Sequence, residues 1–113
     1  MKEIGELERL FVAHKSHMAL LPILEYSYPA VLDELPEHGV ITERLLAEVI
    51  DYSLAFPSRH WALLAASWME SGFSISQEIC DKLLAVSANK AESQKLRHRC
   101  FALARRWQRA KGI

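Results

Sequence analysis

Two histidines near the start of this 113-residue chain have the spacing of metal ligands. His14 and His17 lie three residues apart, so on a continuous helix their imidazoles would be neighbours and could provide two corners of a metal site. A closed zinc site needs about four ligands and an open one about three. No cysteine, aspartate or second histidine pair lies at a companion spacing. We therefore expect no metal site here.

An Arg-His dipeptide occurs twice, at Arg59–His60 and at Arg97–His98. Such a pair could combine a general base with an arginine that holds a phosphate. Each histidine falls on the helix face opposite the apolar residues of its own segment, so both are predicted to point outward without a positioned partner. The four glycines are too far apart to form a phosphate-binding loop. The sequence thus predicts a protein that is not an enzyme and uses no cofactor.

The two cysteines, Cys80 and Cys100, fall at apolar positions of helical patterns. Thiols at such positions behave as small hydrophobic side chains, and we predict that both are buried and free, with a single disulfide as the alternative. A nucleophilic pair of Cys100 with His98 fails on geometry, because residues two apart on a helix point in different directions.

Apolar periodicity indicates which elements position these residues. It predicts helices near residues 2–15, from residue 41 to a break at Phe56–Pro57, from there to residue 71, and near 75–87 and 90–110. Three prolines divide residues 16–38 into short helical pieces and turns. Gly72 is a predicted left-handed helix end. Ser74 and Asn89 are the predicted N-caps of the last two helices.

One pattern of apolar residues occurs twice in the sequence. Residues 41–51 match residues 75–85 at an offset of 34, with apolar residues at every matched core position. Residues 41–71 and 75–110 then read as two helical hairpins, and a repeated hairpin buries its apolar face by stacking on its neighbour. The offset resembles that of tetratricopeptide repeats, but the glycine, tyrosine and proline positions of that consensus are absent. The longer second unit is nearer to the armadillo and HEAT type.

The fold prediction is therefore all-α. It is either a right-handed stack of helical hairpins, a short HEAT/armadillo-like solenoid, or a compact helical bundle. We expect one domain over residues 1–113, in which residues 1–38 form an N-terminal helix and a proline-interrupted cap. The helix around residues 57–71 is apolar on two sides, so we expect it to be sandwiched. If Ala62, Leu63 and Ala66 were exposed, they would form a homodimer face.

Formal net charge is zero, yet the two halves of the chain differ. Residues 1–51 carry ten acidic and four basic side chains, and residues 52–113 carry four acidic and ten basic ones. Such an asymmetry indicates either a charged partner or attraction between the two halves.

The acidic half offers one candidate surface for a basic partner protein. Its carboxylates lie in and after the proline-interrupted segment, which also contains two amphipathic tyrosines. The alternative is that Tyr26 and Tyr28, with neighbouring apolar residues, only cover the end of the helical stack. The residues of this candidate surface are Tyr26, Tyr28, Asp33, Glu34, Glu37, Glu48 and Asp51.

The last helix offers the second candidate surface. It carries bases on every side except the line Leu96, Cys100, Leu103 and Trp107. It could dock an acidic protein, lie along the phosphates of a nucleic acid, or simply be solvated. The arginines that we expect to contact a partner are Arg99, Arg105, Arg106 and Arg109.

These observations favour a non-enzymatic protein-binding module that binds one partner. By size and class it is comparable to bacterial immunity proteins, which neutralise a partner, and to secretion chaperones, which escort one. The alternative is a nucleic-acid-binding regulator that uses the basic last helix. No apolar run is long enough to cross a membrane, and the start of the chain is charged, so we expect a cytoplasmic protein without a membrane partner.

Overall fold

The computed structural model describes residues 3–56 and 58–112, and these ranges contain helices but no strands. The α-helices are α1 (Ile4–His14), α2 (Glu43–Ala55), α3 (Arg59–Glu70), α4 (Gln77–Ala88) and α5 (Gln94–Ala110). Two 3-10 helices, η1 (His17–Glu25) and η2 (Ala30–Glu34), lie between α1 and α2. The all-α prediction is confirmed, as is the division of residues 16–38 into short pieces.

The chain between α1 and η1 bends for a local reason. Lys15 adopts a left-handed conformation with φ 49° and ends α1. The Ser16 side chain then accepts a hydrogen bond from the backbone N–H of Met18 and begins η1. Pro22 lies within η1, where it prevents a regular α-helix. The bend places His14 and His17 on different elements, so they do not share a helix face.

Two predicted N-caps are wrong. The N-cap of α4 is Ser76, whose Oγ accepts from the backbone N–H of Ile79, and not Ser74. The N-cap of α5 is Ser93, whose Oγ accepts from Leu96 N–H, and not Asn89. In both cases a second capping residue lies a few positions further along, and the helix starts there. The predicted helix end at Gly72 is confirmed, since its φ is 107°.

The helices pack into a compact bundle with a radius of gyration of 14.0 Å. Helix α2 packs on α3 and α4, whereas α3 packs on α2 and α5, and α4 lies along α5. On the other side, η1 contacts both α2 and α3, and α1 packs against η1. Helix α3 thus has neighbours on several sides, as its two apolar faces predict. No helix within the described ranges is long and apolar enough to span a membrane.

The three residues on which the homodimer prediction depends are mostly covered. Ala62 and Ala66 are buried in the core, and Leu63 is half-buried against it. The exposure that the prediction named as its condition is therefore not found at Ala62 and Ala66. The physical reason is the sandwiching of α3, because both of its apolar faces are already covered within one chain.

Candidate protein-binding surfaces

The two tyrosines of the proline-interrupted segment face the core. The Tyr28 ring stacks on Trp68, with ring centroids 5.3 Å apart, and meets Phe73 edge-on at 5.2 Å. The backbone carbonyl of Tyr26 accepts a hydrogen bond from the indole N–H of Trp68 at 2.9 Å. Both tyrosines are half-buried and pack against the core. This geometry matches the alternative in which they cover one end of the helices, and it leaves little aromatic surface for a partner.

Three carboxylates of the same segment point outward. Asp33, Glu34 and Glu37 are exposed, and none of them forms a hydrogen bond or an ion pair with another described residue. They follow Val31, which is fully buried and fixes η2 to the core. The segment therefore presents three uncommitted negative charges from a fixed backbone.

The other two acidic residues of that predicted surface are paired with basic side chains of the protein itself. Glu48 accepts a hydrogen bond from His17 at 2.8 Å and lies 3.9 Å from Arg44. One carboxylate oxygen of Asp51 pairs with the Lys82 ammonium at 2.8 Å. The second oxygen, Oδ1, is buried without a hydrogen-bond partner within the described ranges. These two carboxylates tie α2 to η1 and to α4, so they are not free to meet a partner in the way that Asp33 is.

Two arginines on the inward side of α5 form hydrogen bonds within the protein. The Arg99 guanidinium donates two hydrogen bonds to Glu70, at 2.7 and 3.0 Å, and a third to the Ser67 hydroxyl at 3.0 Å. Its pKa is raised, first by the hydrogen bond to Glu70. Arg106 donates to the carbonyl of Met69 at 3.0 Å. Two of the four arginines predicted to meet a partner therefore hold α5 on α3.

The outward side of α5 is different. Phe101 is 51% exposed, and it is the one exposed phenylalanine, tyrosine or tryptophan ring within residues 3–56 and 58–112. Residues His98 and Arg105 lie three positions before and four positions after it, which places them on the same helix face. Both are exposed, and Arg105 is held along the helix by a hydrogen bond to the Gln108 side chain at 3.0 Å. We call this surface the α5 outer face; its residues are Lys95, His98, Phe101, Arg105 and Arg109.

The sequence-based prediction of partner contacts on α5 did not contain all the residues of this face. It included Arg105 and Arg109, which are exposed, but it missed Phe101. The pattern contained the necessary information, because Phe101 is a large apolar residue off the line Leu96, Cys100, Leu103 and Trp107. An apolar residue outside the core line of an amphipathic helix is a candidate contact for a partner.

Several possibilities for chemistry can be compared with the geometry. Cys80 and Cys100 are free and buried, as predicted. Burial raises the pKa of the Cys100 thiol to about 11, so at neutral pH it is protonated and a poor nucleophile. His60 and His98 are exposed, as predicted. Within the described part of the chain, no cluster of three histidine, cysteine or acidic side chains could hold a metal ion.

Comparison with known proteins gives no relative from which a function could be transferred. No family model matches the chain, and no curated protein or solved structure matches it significantly.

Proposed function

We propose that this protein is a non-enzymatic protein-binding module that docks an acidic partner protein on the α5 outer face. The observation that carries the proposal is the exposure of Phe101 among basic side chains on a rigid helix. Interfaces are enriched in aromatic residues and arginine, and a few such residues supply most of the binding energy.

The neighbours of Phe101 supply the electrostatic part of the interface. Arg105, one turn away, is exposed, and within the described part of the chain its only side-chain partner is the neutral Gln108. The side chains of Lys95 and Arg109 are exposed and form no hydrogen bond or ion pair with another described residue. Helix α5 itself contains no acidic residue. A carboxylate-rich partner would be attracted to this face from a distance and would find an apolar anchor at its centre.

The acidic segment, residues 26–37, is a weaker candidate for the principal interface. Its charges are uncommitted, but its aromatic rings are turned inward, with Tyr28 stacked on Trp68. Its remaining large apolar residues, Leu32 and Leu35, are half-buried against the core. Exposed charges without an apolar centre contribute mainly to the rate of association and little to affinity.

The same proposal extends to the architecture. The contacts of α2 with α4 and of α3 with α5 support a short right-handed stack of two hairpins of the HEAT/armadillo type. In such a stack α5 is the last helix and keeps one face free for a partner. A module of this form would neutralise or escort a single protein, as immunity proteins and secretion chaperones do.

A nucleic-acid-binding regulator is the second candidate, and one observation favours it. A half-exposed phenylalanine within a basic face can stack on an unpaired base while the neighbouring cations meet phosphates. Such binding would weaken steeply with salt, because it releases counterions. Arg99 and Arg106 would contribute little, since both are used within the protein.

The test is an affinity pull-down from the lysate of the host, with and without nuclease, followed by mass spectrometry. The wild-type protein is compared with Phe101→Ser and Arg105→Glu, and with two controls, Met18→Ser and Glu34→Lys. Met18 is an equally exposed apolar residue at 51%, and Glu34 lies in the acidic segment.

We expect one stoichiometric acidic protein that survives nuclease treatment, is lost with both α5 variants and is retained with both controls. Nucleic acid that is retained by the wild type and lost with the α5 variants would establish the second candidate. A protein lost with Glu34→Lys and retained with Phe101→Ser would move the interface to the acidic segment and contradict the proposal.

A further inference from the structure

A shallow cavity of about 350 Å³, largely open to solvent, lies between α1 and the loop before α2. Its volume is at the lower end of the range of small-molecule sites, about 300–1,000 Å³. Its apolar wall includes Val12 and Val40, which are 54% and 45% exposed. Four large apolar side chains are exposed among the described residues, and two of them converge here. Exposed apolar side chains that converge on a hollow indicate a binding site more strongly than isolated ones do.

The wall formed by the loop is held in place. One oxygen of the Glu8 carboxylate accepts hydrogen bonds from the backbone N–H groups of Val40 at 2.8 Å and of Ile41 at 3.3 Å. Ile41 is buried in the core. A Cβ on Gly39 would meet the Glu8 carboxylate, so a larger residue there would displace that carboxylate from its present position. The cavity is therefore preformed, and the negative charge of Glu8 is used to fix its wall.

Two charged side chains line the cavity, the Glu8 carboxylate and the Arg9 guanidinium. The carboxylate accepts hydrogen bonds from two backbone N–H groups, whereas the exposed side chains of Arg9 and His38 form no hydrogen bond or ion pair with another described residue. The guanidinium of Arg9 reaches back along α1, since a Cβ on Gly5 would lie 3.7 Å from its Nη1. Val12 lies further along the same helix. A cation at one end and apolar side chains at the other match an elongated ligand with one negative end.

We propose that this cavity binds a small organic anion with an apolar body, such as a medium-chain carboxylate. The apolar body lies against Val12 and Val40, and the carboxylate meets Arg9, with His38 also in the lining. The site is independent of the α5 outer face, so its test can fail or succeed without any consequence for the proposed function.

The test is a titration of the ¹⁵N-labelled full chain with octanoate, followed by nuclear magnetic resonance. Octylammonium and octan-1-ol are the matched probes with reversed charge and without charge. We expect octanoate to shift the amide signals of residues 8–13 and 38–40, and to bind more tightly than either control probe. Shifts confined to other residues, no shifts at these residues, or equal affinity for octylammonium would overturn the proposal.

Variants make the same test specific for side chains. Val12→Thr and Val40→Thr keep the side-chain shape and replace one methyl group, so each is expected to weaken octanoate binding about fourfold. Arg9→Gln is expected to weaken it about two- to fivefold, the range of an exposed ion pair. Met18→Thr and Lys90→Gln are the matched controls outside the cavity and should leave the affinity unchanged. An affinity that is the same in all five variants would mean that octanoate binds elsewhere.

Discussion

The acidic segment, residues 26–37, and helix α5 place aromatic and charged residues in opposite ways. In the segment the aromatic ring of Tyr28 is turned inward onto Trp68, and the carboxylates of Asp33 and Glu34 are turned outward without partners among residues 3–56 and 58–112. In α5 the guanidinium of Arg99 is turned inward onto Glu70, and the ring of Phe101 is turned outward. Residue type alone therefore does not indicate a binding surface. The proposed interface depends on an exposed aromatic ring among charged side chains, because affinity needs apolar burial as well as charge.

The strongest test of this difference between the two regions is to remove one aromatic ring from each. Tyr28→Ala removes the stacking on Trp68 and the edge-on contact with Phe73, and it is expected to lower the free energy of unfolding by about 2–4 kcal/mol. Phe101→Ala removes a half-exposed ring and is expected to change it by less than about 0.5 kcal/mol. Urea unfolding measures both. Similar losses for the two variants would mean that Phe101 is a core residue and not a contact for a partner.

The inner side of α5 can be tested separately through pH. Burial raises the pKa of Cys100 from 9.0 to about 11, so the folded state holds the thiol proton more tightly than the unfolded state does. The resulting stability is fully present below about pH 9 and is lost as the pH rises towards 11, by on the order of 2 kcal/mol.

Unfolding measured from pH 8 to pH 11 checks this expectation, with Cys100→Ala as the control. The variant lacks the thiol, so its stability should fall less over the same interval. An equal fall in both proteins would assign the effect to other groups and would show that Cys100 does not resist ionisation.

The third test compares a tied arginine with a free one on the same helix. Arg99→Ala removes three hydrogen bonds to Glu70 and Ser67 and is expected to lower the free energy of unfolding by about 1–2 kcal/mol, given the partial exposure of the pair. Arg105→Ala should change it by less than about 0.5 kcal/mol. Thermal unfolding of the two variants and the wild type measures this difference in stability. If Arg105→Ala were the more destabilising change, the division of α5 into an inner and an outer side would be wrong.

The smallest effect is expected for the carboxylates of the acidic segment. Asp33→Asn and Glu34→Gln are each expected to alter the free energy of unfolding by less than about 0.5 kcal/mol, because neither side chain has a partner among the described residues. Chemical denaturation at low ionic strength, where charge effects are largest, is the suitable measurement. A marked loss of stability would reveal that these charges take part in folding.

The sequence predicted the local elements well and the element starts less well. The prolines that interrupt residues 16–38, the helix end at Gly72 and the core line through Leu96, Cys100 and Leu103 are all in place. The N-caps at Ser76 and Ser93 were misassigned, because several nearby residues can cap a helix and packing selects among them. Apolar spacing depends only on residues close together in the sequence, so the helices that it predicts are also found in the structure.

The candidate surfaces depended on contacts that no local pattern contains. Arg99 meets Glu70 across 29 positions of sequence, and the indole of Trp68 meets the Tyr26 carbonyl across 42. The sequence by itself determined which segments are helical and which side of each helix is apolar, because both follow from residue spacing. Only the tertiary structure decided that Arg99 is hydrogen-bonded to Glu70 and Ser67, and that the Tyr28 ring packs on Trp68. It also decided that Phe101 remains exposed. The reason is that the number of neighbours around a side chain depends on how distant helices pack together.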